Sequence, residues 1–514
     1  MAALHSVQGS DTGPGNALNC QDPLQSIVIL GGGTAGWMTA AALAQIFKRR
    51  INITLIESEE IGVIGVGEAT IPTIHWFNDL VGLERAEFMR ETNATFKLGV
   101  GFTNWTKPDH YYFHPFGTFG KPLQGIPFHH LWRKVRPNEG FADLELYSLS
   151  AQAAFANRFA LPATDPQSIR STMGYAYQFD ASLYARLLRT RAEAQGVTRL
   201  EGKVTSVLRD GETGFVEALL AEDGRRLEAD FFIDCSGFRS LLIGEALGIG
   251  FEDWSHWLPC NRAWAAPSAN SGPLQPYTSV TSRPAGWQWK IALQHRTGNG
   301  HVYCQSFMDD ERARDLFLEN ISGEVLAEPR LIRFTAGKRR LSWEKNVLAV
   351  GLSGGFLEPL ESTSIHSIQS AIAKFLSLMP DRHSDPHLAT RFNKLINSEM
   401  ELIRDFLTLH YHATYEKTDA LWEYCRHMKL PDSLVDREEI FLRSGRVICE
   451  SHDLFQETNW LAVMMGQGLN PRGYHPLADS LDPEIIEQFL ARVRKLIVDA
   501  TAHFPEHSQA LRSL

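Results

Sequence analysis

SIVILGGGTAGWMTAAALAQIF, residues 26–47, and INITLIE, residues 51–57, decide the fold of this 514-residue chain. The apolar run SIVIL predicts a buried strand, and the Ala- and Leu-rich stretch after the glycines predicts a helix. INITLIE predicts a second buried strand that ends at Glu57. Gly31, Gly33 and Gly36 form G-x-G-x-x-G between the first strand and the helix. The first glycine allows the tight turn, the second lets backbone approach a pyrophosphate, and the third lets helix and strand pack closely. Thr34 and Ala35 lie at the helix start, where free N–H groups and the positive dipole end favour phosphate. Glu57 follows Gly36 by about 20 residues, placed for ribose hydroxyls. A glycine triplet alone also suits a plain strand-to-helix corner. The strand, the helix and the acid together favour a dinucleotide site.

Working outward, residues 1–25 are polar and rich in Gly, Pro and Asn, and read as a flexible leader without a signal-peptide pattern. GKVTSVLRDGETGFVEALLAEDGRRLEAD, residues 202–230, reads as a β-meander, followed by a return strand, FFIDCSG. VLAVGLSGGF is another buried strand, reaching Gly351, and STSIHSIQSAIAKFLSLM is a helix with Ile365, Ile368, Ile372 and Phe375 on one face. Beyond residue 385 the patterns are mostly helical. The expected fold is mixed α/β: an FAD-binding Rossmann-like fold of the glutathione-reductase/hydroxylase type with a helical C-terminal lobe. The expected divisions are a module over 26–385 and a substrate-covering lobe over 386–514.

Composition excludes several classes. The chain is 44% hydrophobic and 21% charged, with a formal charge of -10 and no basic run, so nucleic acid is not an expected partner. Nothing approaches the length of a membrane span. The six cysteines are scattered without a C-x-x-C pair and read as free thiols in a reducing cytoplasm. No metal site is expected.

The glycine motif does not separate NAD from FAD. The meander ending in Asp234-Cys235-Ser236-Gly237 and the strand reaching Gly351 just before a helix favour FAD. The chain has no second G-x-G-x-x-G, so reducing equivalents are expected to arrive with the flavin, from another protein.

Five segments, GGGTAGWMTA, GVGEATIP (65–72), FKLGVGFTNW (96–105), GWQWKIA (286–292) and GFLEPLESTSI (355–365), occur in the order seen in the flavin-dependent tryptophan-halogenase family. The chain resembles that family over nearly its whole length. The resemblance implies halogenation of an electron-rich aromatic ring by a two-component enzyme. A separate NAD(P)H-dependent flavin reductase supplies reduced FAD. Oxygen and chloride or bromide then yield hypohalous acid, which reaches the substrate through an interior tunnel. A homodimer is left open. The alternatives are an FAD-dependent aromatic monooxygenase and a non-catalytic flavin-binding protein.

The resemblance makes Lys97 the catalytic lysine and Glu361 its carboxylate partner, and it places Ala69 of GVGEATIP among the flavin contacts. On a continuous strand, Lys97 would share a face with Gly99 and Gly101, which would clear space beside the ammonium. A neutral amine would suit capture of the electrophile and a charged one donation to it. Glu361, just before a helix, could equally be an acid favouring the macrodipole. Thr363 and Ser364 at that helix N-terminus match the family's halide site; the family usually has Gly where this chain has Ser364. Trp287 and Trp289 alternate toward one face and match the residues that wall off the flavin. His114 and Phe116 match the substrate pocket. Trp460 matches a lid tryptophan, but the polar lid residues that grip an amino-acid head are replaced by Val463, Met464 and Met465. Free tryptophan is therefore not the expected substrate; an indole without that head, or a phenol, fits better.

Overall fold

The computed structural model describes residues 22–60, 68–414, 417–450 and 453–513. Residues 1–21 of the expected leader and 65–67 of GVGEATIP lie outside them. The rest of that leader is anchored: Leu24 is buried, and the Gln25 N–H donates to Asp230.

Ser26–Leu30 is the centre of a six-stranded sheet. Asn52–Glu57 pairs with it in parallel on one side and Phe231–Asp234 on the other. Val347–Ala349 and Thr198–Glu201 extend the parallel array, and Trp343–Glu344 closes one edge antiparallel. The continuous apolar composition of these strands reflects cover on both faces. Helices Thr34–Phe47 and Ser364–Ser377 pack together on this sheet's core side. The expected meander forms a separate three-stranded sheet, Val204–Arg209, Val216–Ala221 and Arg226–Glu228. The fold is mixed α/β and Rossmann-like, as expected.

A second, seven-stranded sheet carries Gly286–Ala292 near its middle and ends in Gly99–Thr103 and Tyr111–Pro115. Here the strand reading needs correction. Residues 95–103 are not one strand: Thr95–Lys97 pairs with Ala176–Phe179 in a small sheet, and Gly99–Thr103 joins the seven-stranded one. Leu98 is the corner, its N–H bonded to the Pro276 carbonyl. Gly99 and Gly101 consequently clear no space beside Lys97. A Cβ on Gly99 would meet the Phe113 ring at 2.7 Å, and one on Gly101 the Tyr111 hydroxyl at 2.6 Å.

Beyond residue 385 the chain is helical, as in Pro386–His412, Glu457–Gly466 and Pro483–His503. No helix among the described residues is long and apolar enough to cross a membrane.

Candidate active site

A cavity of ≈ 1040 Å³ opens at the C-terminal ends of the parallel strands, lined by Gly31, Gly33, Thr34, Ala35, Glu57, Ala69 and Gly351. The three glycines differ in what they do. Gly31 has φ +108 and packs against the Cys235 carbonyl, where a Cβ would lie 2.3 Å away. A Cβ on Gly36 would come 1.9 Å from the Gly31 carbonyl oxygen, which is the close helix–strand approach. A Cβ on Gly33 would meet nothing within 4 Å. That opening, at the N-cap of helix Thr34–Phe47, is the backbone approach a pyrophosphate requires. Glu57 is held at one oxygen by Arg199 at 2.6 Å and lines the cavity beside it. The residues fit an extended dinucleotide. After Gly351 comes a 3-10 turn, Gly351–Ser353, rather than a long helix; the helix whose N-terminus faces the cavity is Ser364–Ser377.

Ser362, Thr363 and Ser364 line the far end of that cavity. Thr363 is the N-cap residue, yet its side chain makes no capping bond, so the first N–H groups of the helix are left for another acceptor. Ser362 has φ +60, in the left-handed region. Its Oγ accepts from the Lys97 ammonium at 2.9 Å.

Lys97 is fully buried, with Phe116 under it at 5.2 Å. Burial pushes its amine down to about 7, partly opposed by Glu361. Glu361 is not a surface acid at a helix start. It is 1% exposed, and its Oε1 accepts from His114 Nδ1 at 2.9 Å and from His410 Nε2 at 2.6 Å. Burial alone would raise its carboxyl, but His114, His410 and Lys97 outweigh that and hold it below the ordinary carboxylate value. Its second oxygen, Oε2, has no partner among the described residues. The Nε2 of His114 lies 2.8 Å from the Asn459 side-chain amide. The Asn459 amide thus meets one ring nitrogen of His114 and Glu361 the other. Burial drives His410 down to about 4, so at neutral pH it is uncharged, its Nε2–H aimed at the carboxylate.

Trp287 and Trp289 line the cofactor cavity with ring centroids 5.9 Å apart. Trp460 packs edge-on against Phe406 at 4.9 Å, which itself stacks on Phe455 at 3.9 Å. His114, Phe116, Trp460, Lys97 and Glu361 do not line the cofactor cavity; all five are buried, and the Lys97–Ser362 hydrogen bond joins them to it.

His410, Asn459 and Ser362 were not anticipated as site residues. Ser362 was signalled only by its place beside Glu361. One donor grouping lies outside the expectation of no metal. His129, His130 and Glu457 bring ligand atoms within 4.8 Å of one another. Yet His130 Nδ1 accepts from the His475 N–H, and Arg446 opposes positive charge there. Packed histidines account for it.

The family model described as tryptophan halogenase matches residues 26–483. Tryptophan 6-halogenase ThaL of Streptomyces albogriseolus is 36% identical over 88% of this chain and 91% of its own length. Tryptophan 7-halogenase RebH of Lentzea aerocolonigenes is 32% identical over 88% and 91%. Among solved structures, BrvH, a flavin-dependent halogenase from Brevundimonas sp. BAL3, superposes with a TM-score of 0.91. It is 44% identical and covers 95% of this chain and 99% of its own. A flavin-dependent halogenase from Xanthomonas campestris gives the same score and identity, over 96% and 98%. With that match spanning both the cofactor crevice and the buried residues around Lys97, the chain belongs to the tryptophan halogenase family and is a flavin-dependent halogenase of aromatic substrates.

Proposed function

We propose that this enzyme accepts reduced FAD from a separate NAD(P)H-dependent reductase and halogenates an electron-rich indole or phenol without an amino-acid head group. Bound reduced flavin supplies the electrons that, with oxygen and halide, yield hypohalous acid. Gly31–Gly36 would hold the pyrophosphate, Glu57 the ribose, and Ala69 and Gly351 the flavin end. Thr363 and Ser364 would hold halide at the free N–H groups of their helix. Trp287 and Trp289 keep the aromatic substrate off the flavin. Lys97 hydrogen-bonds the electrophile, and Glu361 accepts the ring proton at its unpartnered Oε2. In this reading residues 26–385 carry cofactor and halide, while 386–514 cover the substrate through His410, Asn459 and Trp460.

The observation that carries the proposal is Ser362. It lines the cofactor cavity and accepts from the buried Lys97 beside it. It thus joins the place where oxidant is made to the amine that would receive it. A monooxygenase or a passive flavin carrier has no use for a dry lysine and carboxylate on the far side of an indole wall. The substrate preference rests on the lid. Helix Glu457–Gly466 buries Val463, Met464 and Met465. The guanidinium stacked on Trp460, Arg437, is already engaged by Asp453 at 3.1 Å. A zwitterionic head would need such charges unengaged.

Incubation with a flavin reductase, NADH, and bromide or chloride, followed by HPLC–MS, tests this. Indole should be halogenated in a halide-dependent way, and free tryptophan far less. Oxygenated product independent of halide would assign a monooxygenase, and a preference for tryptophan would overturn the substrate reading.

A further inference from the structure

Glu358 and Glu361 stand at the two ends of the segment E-P-L-E, and consecutive residues of one helix hold them. Glu361 accepts from His410; Glu358 Oε2 accepts from the Tyr411 hydroxyl at 2.5 Å. Both helix residues belong to the last turn of Pro386–His412. The Tyr411 hydroxyl also accepts the indole N–H of Trp287 at 2.9 Å, and Cys260 Sγ lies 3.3 Å from it. Trp287, Tyr411, Glu358 and Cys260 are each at most 1% exposed.

A phenol has one hydrogen and two lone pairs. Its hydrogen has two acceptors within reach, Glu358 Oε2 and, farther off, Cys260 Sγ, and one lone pair takes the Trp287 N–H. Burial raises the Glu358 carboxyl to about 8, so at neutral pH it is a neutral acid whose carbonyl oxygen can accept from Tyr411. Its other oxygen has no partner among the described residues. The two indoles of the wall are held differently. The Trp289 Nε1 has no partner among the described residues, and packing fixes its ring over Gly300, where a Cβ would fall 1.8 Å from it. Trp287 alone is tied by a hydrogen bond, and the tie runs to the helix that also fixes Glu361.

We infer that Tyr411 and Glu358 are positioning residues for halogenation: they lock the Trp287 indole in the wall of the cofactor cavity, so that oxidant leaves only toward Lys97. The inference rests on the function proposed above for its second measurement, though not for its first. Loosening Trp287 should leave reduced flavin reacting as before while hypohalous acid escapes to solution.

The test compares Tyr411→Phe, Glu358→Gln and Glu358→Leu with the parent enzyme. In the apoprotein labelled with 15N at the indoles, the resonance missing from Trp287→Phe identifies Trp287. Its solvent exchange should accelerate about fivefold or more in Tyr411→Phe and Glu358→Leu, the size of one lost hydrogen bond. Glu358→Gln should stay within about twofold of the parent, because its amide carbonyl still accepts from Tyr411. With reductase, NADH, bromide and indole, product per hypobromite trapped in solution should fall about fivefold in the same two variants. The KM for indole and the rate of reduced-flavin oxidation should hold. Parent-like exchange and an unchanged ratio in Tyr411→Phe overturn the inference. Should Tyr411→Phe not fold, the Glu358 pair decides it, and Glu358→Gln behaving like Glu358→Leu overturns the neutral-acceptor role. If the parent makes no halogenated product, the functional reading fails and the exchange data alone judge the lock.

Discussion

His410 Nε2 lies 2.6 Å from Glu361 Oε1, and neither side chain touches water. The bond helps keep a buried carboxylate charged. A carboxyl held below its unfolded value adds stability above about pH 4.5, and that stability is lost as pH falls through the lower folded value. His410→Ala should therefore cost about 1–3 kcal/mol at pH 7 and start acid unfolding at a higher pH. Halogenation should drop about tenfold or more. Denaturant titrations across pH, with product assays, check both effects.

Lys97 costs stability where Glu361 adds it. Its folded amine titrates near 7 and an exposed one near 10.5, so unfolding takes up a proton between those values. Stability should rise with pH through that window. Lys97→Met should raise the melting temperature at pH 7, by about 1–3 kcal/mol in stability, and gain much less at pH 10. The same variant should lose halogenation while binding flavin normally. If Lys97 acts as an ammonium donor beside anionic Glu361, the parent's rate should decline as pH rises through about 7. A rate that climbs there would assign the neutral amine instead.

Two glycines three residues apart should respond in opposite ways. Gly33→Val puts its side chain into open cavity, at an ordinary φ of -72. It should leave the apoprotein's melting temperature nearly unchanged and weaken FAD binding about tenfold or more. Gly36→Ala drives a Cβ toward the Gly31 carbonyl and should cost about 1–3 kcal/mol before any ligand is added. Calorimetry of the apoproteins and flavin titration separate the two.

Ser364 adds a hydroxyl donor where the family usually has glycine, at the first residue of the helix facing the cavity. Chloride, smaller and more strongly hydrated than bromide, depends more on donors. Ser364→Gly should shift competition between the halides toward bromide about threefold to tenfold. Mass spectrometry of product from mixed halide reads the ratio, and a shift toward chloride would remove Ser364 from the halide site.

The cofactor half was legible because its physics is local. A strand, a glycine turn, a helix and Glu57 lie within 32 residues, Ser26 to Glu57, and each carries its own signal. Lys97 and Glu361 were legible through resemblance alone; unaided, a lysine in a short strand and a glutamate before a helix read as ordinary surface features. The glycine-cleared face failed because alternation holds only while a strand stays in one sheet, and Leu98 hands the chain from one to another. His410 and Tyr411 were hidden for a different reason. On an amphipathic helix of 27 residues they look like any half-polar turn, and only tertiary packing brings them 49 and 53 residues back to Glu361 and Glu358.

The small sheet that contains Lys97 has Ala176–Phe179 in its middle, Thr95–Lys97 along one edge and Glu68–Ala69 along the other. Ala69 fronts the cofactor cavity, opposite Gln178, and Lys97 lies opposite Ala176 on the far edge. Two strand spacings across and two residues along, roughly 12 Å, thus separate Ala69 from Lys97. Side-chain rotamers relax and loops drift, but a hydrogen-bonded ladder behaves as a ruler of fixed graduation. Remodelling the substrate lid for a new aromatic ring leaves that graduation untouched.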